Sequence, residues 1–143
     1  MGGELPLKVV FGTGPLSLAV ARALSGKGDP VRVVNRSGRA AVPAGVEVVA
    51  GDASKPAEAR RLCQEASVVY HCASAPYSMW PKLHPPLMDA IIEGASAGAK
   101  LVFGDNLYAY GPVDGPLTED LLWRATGPNG RTRAQIAETL MRA

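Results

Sequence analysis

The sequence predicts a doubly wound α/β fold built on a parallel sheet, and three observations support that prediction. Short apolar runs rich in Val, Ala and Leu alternate with helical patterns along the chain. The runs lack the polar alternation of a strand with one solvated face, as expected for a parallel sheet covered on both faces. Strands and helices that alternate through right-handed crossovers give a doubly wound sheet, with expected strand order 3-2-1-4-5.

The elements follow one another in regular alternation. Strands are predicted at 8–11, 31–35, 46–50, 67–72 and 100–103, and helices near 15–26, 55–65, 83–98 and 130–142. The apolar face of the first helix is predicted to carry Leu16, Val20, Ala23 and Leu24. Segments 73–86 and 104–116 are rich in Pro and Gly and are predicted to be loops. Both follow carboxyl ends of strands, where open α/β sheets bind ligands.

Length and charge narrow the possible classes of protein. A chain of 143 residues predicts one domain over residues 1–143. The net charge of +2 gives no reason to expect nucleic acid or an anionic membrane as a partner. Residues 1–4 lack the basic and apolar regions of a signal peptide. Cys63 and Cys72 do not have metal-ligand spacing, so no metal is expected, and reduced cysteines favour a cytoplasmic location.

The turn between the first strand and the first helix predicts a pyrophosphate site. Its sequence, Gly-Thr-Gly-Pro-Leu-Ser at 12–17, directs the unpaired N–H groups and positive dipole end of the helix toward one point. The first glycine allows a tight turn and the second allows close approach of backbone to phosphate. Ser17 takes the third glycine position, where its small size still permits close packing. The expected cofactor contacts are Gly12, Thr13, Gly14, Pro15 and Leu16.

The residues after the second strand favour NADP over NAD. No carboxylate follows this strand, where NAD would need one for its ribose 2′-OH. Arg36 instead offers a planar fork suited to a 2′-phosphate, assisted by Arg39 and Ser37. We therefore expect Asn35, Arg36 and Arg39 to bind the cofactor. The alternative is that both arginines are ordinary solvated loop charges.

Five segments together resemble the N-terminal portion of the NAD-dependent epimerase/dehydratase family, the extended or atypical short-chain dehydrogenase/reductases. Segment 12–17 is similar to the family's G-T-G-F-I-G turn. Segment 51–53, Gly-Asp-Ala, resembles its G-D-hydrophobic step, whose carboxylate contacts the adenine amino group; alternatively, Asp52 only starts a loop. Segment 71–75, His-Cys-Ala-Ser-Ala, resembles H-x-A-A, which approaches the nicotinamide ribose, with His71 expected to be a packed strand residue. The resemblance implies cofactor contacts from Asp52, Ala53, Cys72, Ala73 and Ser74.

The last two segments correspond to the catalytic part of that family. Segment 108–112, Tyr-Ala-Tyr-Gly-Pro, resembles V-Y-G-P, and segment 128–133, Pro-Asn-Gly-Arg-Thr-Arg, lines up with P-Y-G-x-S-K. Where the family uses Ser, Tyr and Lys, this chain has Asn106, Asn129 and Arg133. An Asn cannot be a general acid, and losing a positioned proton donor costs roughly 10²–10⁴ in rate. The implied catalytic residues are Asn106, Tyr110 and Arg133, with Tyr108 as another candidate proton donor.

These observations leave three functions open. The first is an NADP-linked oxidoreductase or epimerase acting, in a full-length form, on a small carbonyl or nucleotide-sugar-like substrate. The second is a non-catalytic dinucleotide-binding module or redox sensor. The third is a fragment that binds nothing well, its phosphate gap plugged by Phe11 or Ser17. The sheet is expected to be truncated before its last strands, without a substrate domain, and helices 83–98 and 130–142 are expected to be able to pack across a homodimer.

Overall fold

A computed structural model describes residues 5–143 of the chain. Residues 1–4, on which the expected lack of a signal peptide rested, lie outside that part. The main elements, in chain order, are β1 Leu7–Phe11, α1 Pro15–Gly26, β2 Val31–Asn35, β3 Glu47–Ala50, α2 Pro56–Leu62, β4 Ala66–His71, α3 Trp80–Ala95, β5 Lys100–Phe103 and α4 Pro128–Arg142. Single 3₁₀ turns form at Tyr77–Met79 and Tyr108–Tyr110.

The strands form a parallel sheet in the order β3-β2-β1-β4-β5, which confirms the predicted fold class and order. Three consecutive residues of β1 are fully buried, so both faces of this strand are covered, as its apolar sequence predicts. Phe11 pairs in register with Val34 on one side and His71 on the other. The carboxyl ends of β1, β2 and β4 therefore lie side by side at one edge, where the strand order reverses.

Helix α3 begins earlier than the sequence predicts, and the expectation that 73–86 is entirely loop is wrong. The helix starts at Trp80 and contains Pro85 and Pro86 in its interior. Two internal prolines remove backbone hydrogen bonds and cost helix stability. Burial of Trp80, His84 and Met88, at successive positions i, i+4 and i+8, compensates for that cost because all three side chains lie on one face.

The buried face of α1 also differs from the prediction. Ser17 and Ala21 are fully buried, whereas Leu16 is 52% exposed. Val20 and Leu24 pack partly buried against the core, as expected, but Ala23 is exposed. Small residues on the sheet-facing side let the helix approach the strands closely, and this leaves the large Leu16 side chain outside the core.

The chain divides into two compact units. The first contains the sheet with α1 and α2, and comprises residues up to Ser74 together with Asp89–Gly104. The second comprises Ala75–Met88 and Asp105–Ala143, which include α4 and both 3₁₀ turns. The single domain over residues 1–143 stays a prediction. Within residues 5–143, no helix combines the length and apolar character needed to cross a lipid bilayer.

Candidate functional site

The turn that follows β1 has a conformation that requires glycine at its first position. Gly12 has φ +105°, and a Cβ built there would lie 2.8 Å from Ser17 Oγ and 3.0 Å from the backbone N of Ala73. Its N–H donates to the carbonyl of Val34 at 2.9 Å. The backbone of Gly12 is thus held against the ends of β2 and β4, and a side chain would displace it.

The second glycine faces open space. Gly14 is the N-cap of α1, with φ −74° and no side-chain cap hydrogen bond. A Cβ on Gly14 would meet nothing within 4 Å. Because the first helical hydrogen bond runs from the N–H of Leu18 to the Gly14 carbonyl, the N–H groups of Leu16 and Ser17 precede the hydrogen-bonded ladder. An anion at this position would meet free backbone donors and the positive end of the helix dipole.

Neither Phe11 nor Ser17 plugs this gap. The Phe11 ring is fully buried in the sheet. The Ser17 side chain is also fully buried, and its hydroxyl donates to the carbonyl of Cys72 at 3.4 Å. Serine therefore fits under the turn at the third glycine position by bonding back to β4, and the space in front of Gly14 stays open.

Two arginines lie beside this turn at the end of β2. Arg36 and Arg39 are exposed, and within residues 5–143 neither guanidinium has a hydrogen-bond or ion-pair partner in the structure. Asn35 lies between them and the turn, and its amide donates to Thr13 Oγ1 at 3.2 Å and to the Arg39 carbonyl at 2.8 Å. The arginine-bearing loop is thereby attached to the glycine turn.

Asp52 follows β3 and is bonded within its own loop. Its carboxylate accepts hydrogen bonds from the N–H of Ser54 at 3.0 Å and from the Ser54 hydroxyl at 2.6 Å. The hydroxyl bond holds the pKa of Asp52 below its usual value against the opposing effect of burial, and the charges of Lys55 and Arg36 act in the same direction as the bond. The backbone N–H of Asp52 donates to Glu58 Oε2 at 2.8 Å, a contact that the sequence does not predict. A charged Asp52 agrees with the loop-starting role, and its other oxygen, Oδ2, lies 3.9 Å from Lys55 Nζ.

The end of β4 presents small residues next to the glycine turn. The N–H of Cys72 donates to the Phe11 carbonyl at 3.0 Å, and Ala73 contacts Gly12. Burial raises the pKa of the half-buried Cys72 thiol, so the thiol is protonated at neutral pH. His71 is fully buried, with its ring centroid 4.9 Å from that of Phe103. Ala53 is half-buried and Ser74 exposed, so the expected contact residues reach the surface at this edge.

In the second unit, Arg133 is buried in an ion pair. Its Nε and Nη2 donate to Asp105 Oδ1 at 3.0 and 2.7 Å. Its guanidinium carbon lies 5.3 Å from the centroid of the Trp80 ring, within cation–π distance. Neither partner is predicted from the sequence, although a carboxylate two residues after the end of β5 is a signal that could have identified Asp105.

Other residues matched to the catalytic motif also form hydrogen bonds within the chain. Asn106 Oδ1 accepts from the N–H of Tyr108 at 3.1 Å, and Asn129 Nδ2 donates to the Tyr77 carbonyl at 2.9 Å. A hydrogen bond with Tyr77 raises the pKa of Tyr108, which keeps its phenol neutral at physiological pH. Tyr110 lies half-buried in the same 3₁₀ turn. A cleft of about 260 Å³ lies at the start of α4. It is lined by Tyr77, Tyr108, Gly111, Pro112 and residues 125–130.

Comparison with solved structures places this architecture among known folds. A UDP-glucose 4-epimerase from Brucella ovis in complex with NAD matches 96% of this chain and 47% of its own, at 18% identity and a TM-score of 0.83. An enzyme from Bordetella bronchiseptica in complex with NAD and UDP matches 99% of this chain and 50% of its own, at 18% identity and a TM-score of 0.82. A putative NAD-dependent epimerase/dehydratase from Methylobacillus flagellatus matches 97% and 51%, at 24% identity and a TM-score of 0.79.

Other comparisons gave nothing further: no protein-family model matches the chain, and no curated protein matches it. The structural matches confirm, at the level of the fold, the resemblance that the sequence motifs predict. The chain therefore has the fold of the NAD-dependent epimerase/dehydratase and related short-chain dehydrogenase structures, and it spans about half the length of the solved structures it matches.

Proposed function

We propose that this chain binds NADP at the carboxyl edge of its sheet and forms the cofactor-binding part of an oxidoreductase or epimerase. The observation that carries the proposal is the pair of glycines after β1. Gly12 is held by its neighbours in a conformation that only glycine adopts without strain. Gly14 faces empty space, and a methyl group added there would project into that space. The empty space in front of Gly14 borders helix N–H groups that have no hydrogen bond within the helix, and such a site fits a pyrophosphate.

The choice of NADP rests on Arg36 and Arg39. Both are exposed beside the glycine turn, and β2 ends in Asn35 rather than in a carboxylate. A 2′-phosphate is doubly charged and matches the planar guanidinium fork, whereas a 2′-hydroxyl would gain little from it. Two matched structures are in complex with NAD, so the proposed preference for NADP rests on the residues of this chain alone.

The reaction class follows from the cofactor and from the structures that share this fold. A nicotinamide dinucleotide supplies or accepts a hydride when it is bound. One matched structure is a UDP-glucose 4-epimerase, and another is described with UDP bound. We therefore propose that the substrate is a small carbonyl compound or a nucleotide-sugar-like compound. The proposed catalytic residues are Asn106, Tyr110 and Arg133. A cytoplasmic location belongs to the same proposal, because Cys63 and Cys72 are free thiols.

A second candidate function, a non-catalytic dinucleotide-binding module or redox sensor, is favoured by the second unit. Asn129 occupies the position of the family's proton donor and uses its amide to bind the Tyr77 carbonyl. Arg133 occupies the lysine position, where Asp105 neutralises its charge. An amide does not ionise and a guanidinium stays protonated, so neither position supplies a group for proton transfer.

The phosphate site can be tested with two alanine substitutions in the same helix. Gly14→Ala places a methyl group in the open gap, and we expect NADPH binding, measured by calorimetry, to weaken at least tenfold. Gly26→Ala, at the other end of α1, also meets nothing within 4 Å and serves as the control. Equal NADPH affinity in both variants would show that the pyrophosphate does not bind at this turn.

Cofactor choice and catalysis are separated by two further measurements. Arg36→Ala is expected to weaken NADPH binding and leave NADH binding unchanged. If the wild type binds both cofactors equally, and the substitution changes the affinity for neither, the NADP assignment is wrong. A panel of aldehydes, ketones and nucleotide sugars, followed by NADPH absorbance, then tests turnover. Binding without turnover favours the non-catalytic module, and no binding of either dinucleotide favours the third alternative, a fragment that binds nothing well.

A further inference from the structure

The side chain of Asn35, the half-buried last residue of β2, has a complete set of hydrogen bonds. Its Oδ1 accepts from the N–H of Gly38 at 2.7 Å and from the Ser37 hydroxyl at 3.2 Å. Its Nδ2 donates to the Arg39 carbonyl at 2.8 Å and to Thr13 Oγ1 at 3.2 Å. A side-chain amide has two lone pairs and two N–H donors, so all of its capacity is used within the chain.

These bonds fix the shape of the loop that carries the two arginines. Gly38 has φ +66°, and a Cβ on it would lie 3.0 Å from Ala50 Cβ, so the loop folds closely against the end of β3. The Asn35 backbone carbonyl accepts from the N–H of Gly51 at 2.9 Å, which anchors the same residue in the sheet. Three of the four side-chain bonds close the loop on itself, and the fourth attaches it to the glycine turn.

We infer that Asn35 is a positioning residue that selects NADP by holding Arg36 and Arg39 in place, and that it does not bind the cofactor itself. The inference rests on the proposed binding of NADP, and it refines the expectation that Asn35 contacts the cofactor. Arg36 and Arg39 have long, exposed side chains, and a 2′-phosphate gains most from them when their backbone is already ordered. Ordering by Asn35 removes part of that entropic cost before binding.

This position requires a side-chain amide, and another polar group would not replace it. In Asn35→Asp, the Thr13 hydroxyl can still donate to the carboxylate, but the carboxylate cannot donate to the Arg39 carbonyl and would face it, oxygen against oxygen. The loop would open and free the new carboxylate from its bonds within the chain, so that its charge repels a 2′-phosphate and its oxygen accepts from a 2′-hydroxyl. The same substitution thus has opposite consequences for the two cofactors.

The first experiment examines the loop of the free protein and needs no cofactor. Hydrogen exchange of the Gly38 amide should be slow in the wild type, because that N–H donates to Asn35, and at least tenfold faster in Asn35→Ala. Exchange of amides in β1, such as Val10, should not change. Equal exchange of Gly38 in both proteins would overturn the inference whatever the protein binds.

The second experiment uses NADPH and NADH as probes in calorimetric titrations. Asn35→Ala should weaken NADPH binding by about tenfold and leave NADH within about twofold, whereas Asn35→Asp should weaken NADPH further and improve NADH. In the Arg36→Ala/Arg39→Ala background, Asn35→Ala should cause no additional loss, because its effect passes through the arginines. An additive loss would show that Asn35 touches the cofactor directly.

The outcomes for the inference and for the proposed function are distinct. A wild-type protein that binds neither dinucleotide refutes the proposed function, and the exchange of Gly38 still reports on the loop. Wild-type selectivity for NADPH that survives in Asn35→Ala and Asn35→Asp refutes the inference alone. An equal loss of both cofactors in Asn35→Ala, with a lower melting temperature, also refutes it, because that is the result expected of a purely structural residue.

Discussion

Arg133 donates two N–H groups to a single oxygen of Asp105, at 3.0 and 2.7 Å, with its guanidinium over the Trp80 ring. The arginine side chain is 4% exposed and that of the aspartate 36% exposed. Removal of this carboxylate would leave the buried guanidinium charge without its Asp105 counter-ion. The pair therefore stabilises the second unit chiefly by preventing that uncompensated burial.

We expect Asp105→Ala to lower the free energy of unfolding by about 3 kcal/mol, the lower end for a buried pair, because the carboxylate is partly solvated. The double variant Asp105→Ala/Arg133→Met should recover most of that loss, since methionine retains the packing on Trp80 without the charge. Urea denaturation of the single and double variants measures both effects. A double variant no more stable than Asp105→Ala would contradict this account.

The fold is expected to lose stability in mild acid because of His84. Its ring is fully buried against Trp80, and among the described residues neither ring nitrogen has a hydrogen-bond partner. Burial and the charge of Arg133 together lower the pKa of His84 from 6.5 to about 4, and the charge of Asp105 partly opposes the shift. The unfolded chain therefore binds the proton first, and stability present above pH 6.5 is lost as the pH falls toward 4.

The expected loss attributable to His84 is about 2 kcal/mol between pH 7 and pH 5. Unfolding free energies of the wild type and of His84→Gln at both pH values measure it, because glutamine does not titrate. The difference between the two slopes isolates His84 from the carboxylates and from the chain's other histidine, His71. Parallel slopes would mean that His84 does not control acid stability.

Substitution by alanine should destabilise the protein at the first glycine of the turn and have little effect on its stability at the second. Gly12→Ala should cost roughly 2 kcal/mol or more of stability, since φ +105° strains any other residue and the new methyl group meets Ser17 and Ala73. Gly14→Ala should change stability by less than about 0.5 kcal/mol. Thermal melting of both variants without ligand makes this comparison, and a large destabilisation by Gly14→Ala would show that the gap is not open.

Glu65 offers a stabilising substitution. It is the one non-glycine residue in the described part of the chain with positive φ, at +65°. A left-handed conformation costs a residue with a Cβ roughly 1–2 kcal/mol, which glycine avoids, although glycine loses more freedom than glutamate when the chain folds. We expect Glu65→Gly to raise the unfolding free energy by about 0.5–1 kcal/mol and Glu65→Ile to lower it, as measured in urea. The reverse order would contradict this interpretation of the backbone.

The sequence by itself determined the parallel sheet, its strand order and the bounds of α1, because these depend on apolar runs and turn residues only a few positions apart. The predicted strands agree with β1, β2, β3, β4 and β5 to within one residue at each end. It also indicated the open glycine turn, since Gly-x-Gly between a strand and a helix is a local signal.

Only the tertiary structure decided which polar groups meet. Thr13 and Asn35 are 22 positions apart, and Asp105 and Arg133 are 28 apart, so their contacts depend on where the chain returns after intervening elements. The same holds for α3, whose prolines predict a loop but whose buried face, from Trp80 to Met88, keeps it helical. Short-range pattern specifies the elements, and packing between distant segments specifies the pairing of their side chains.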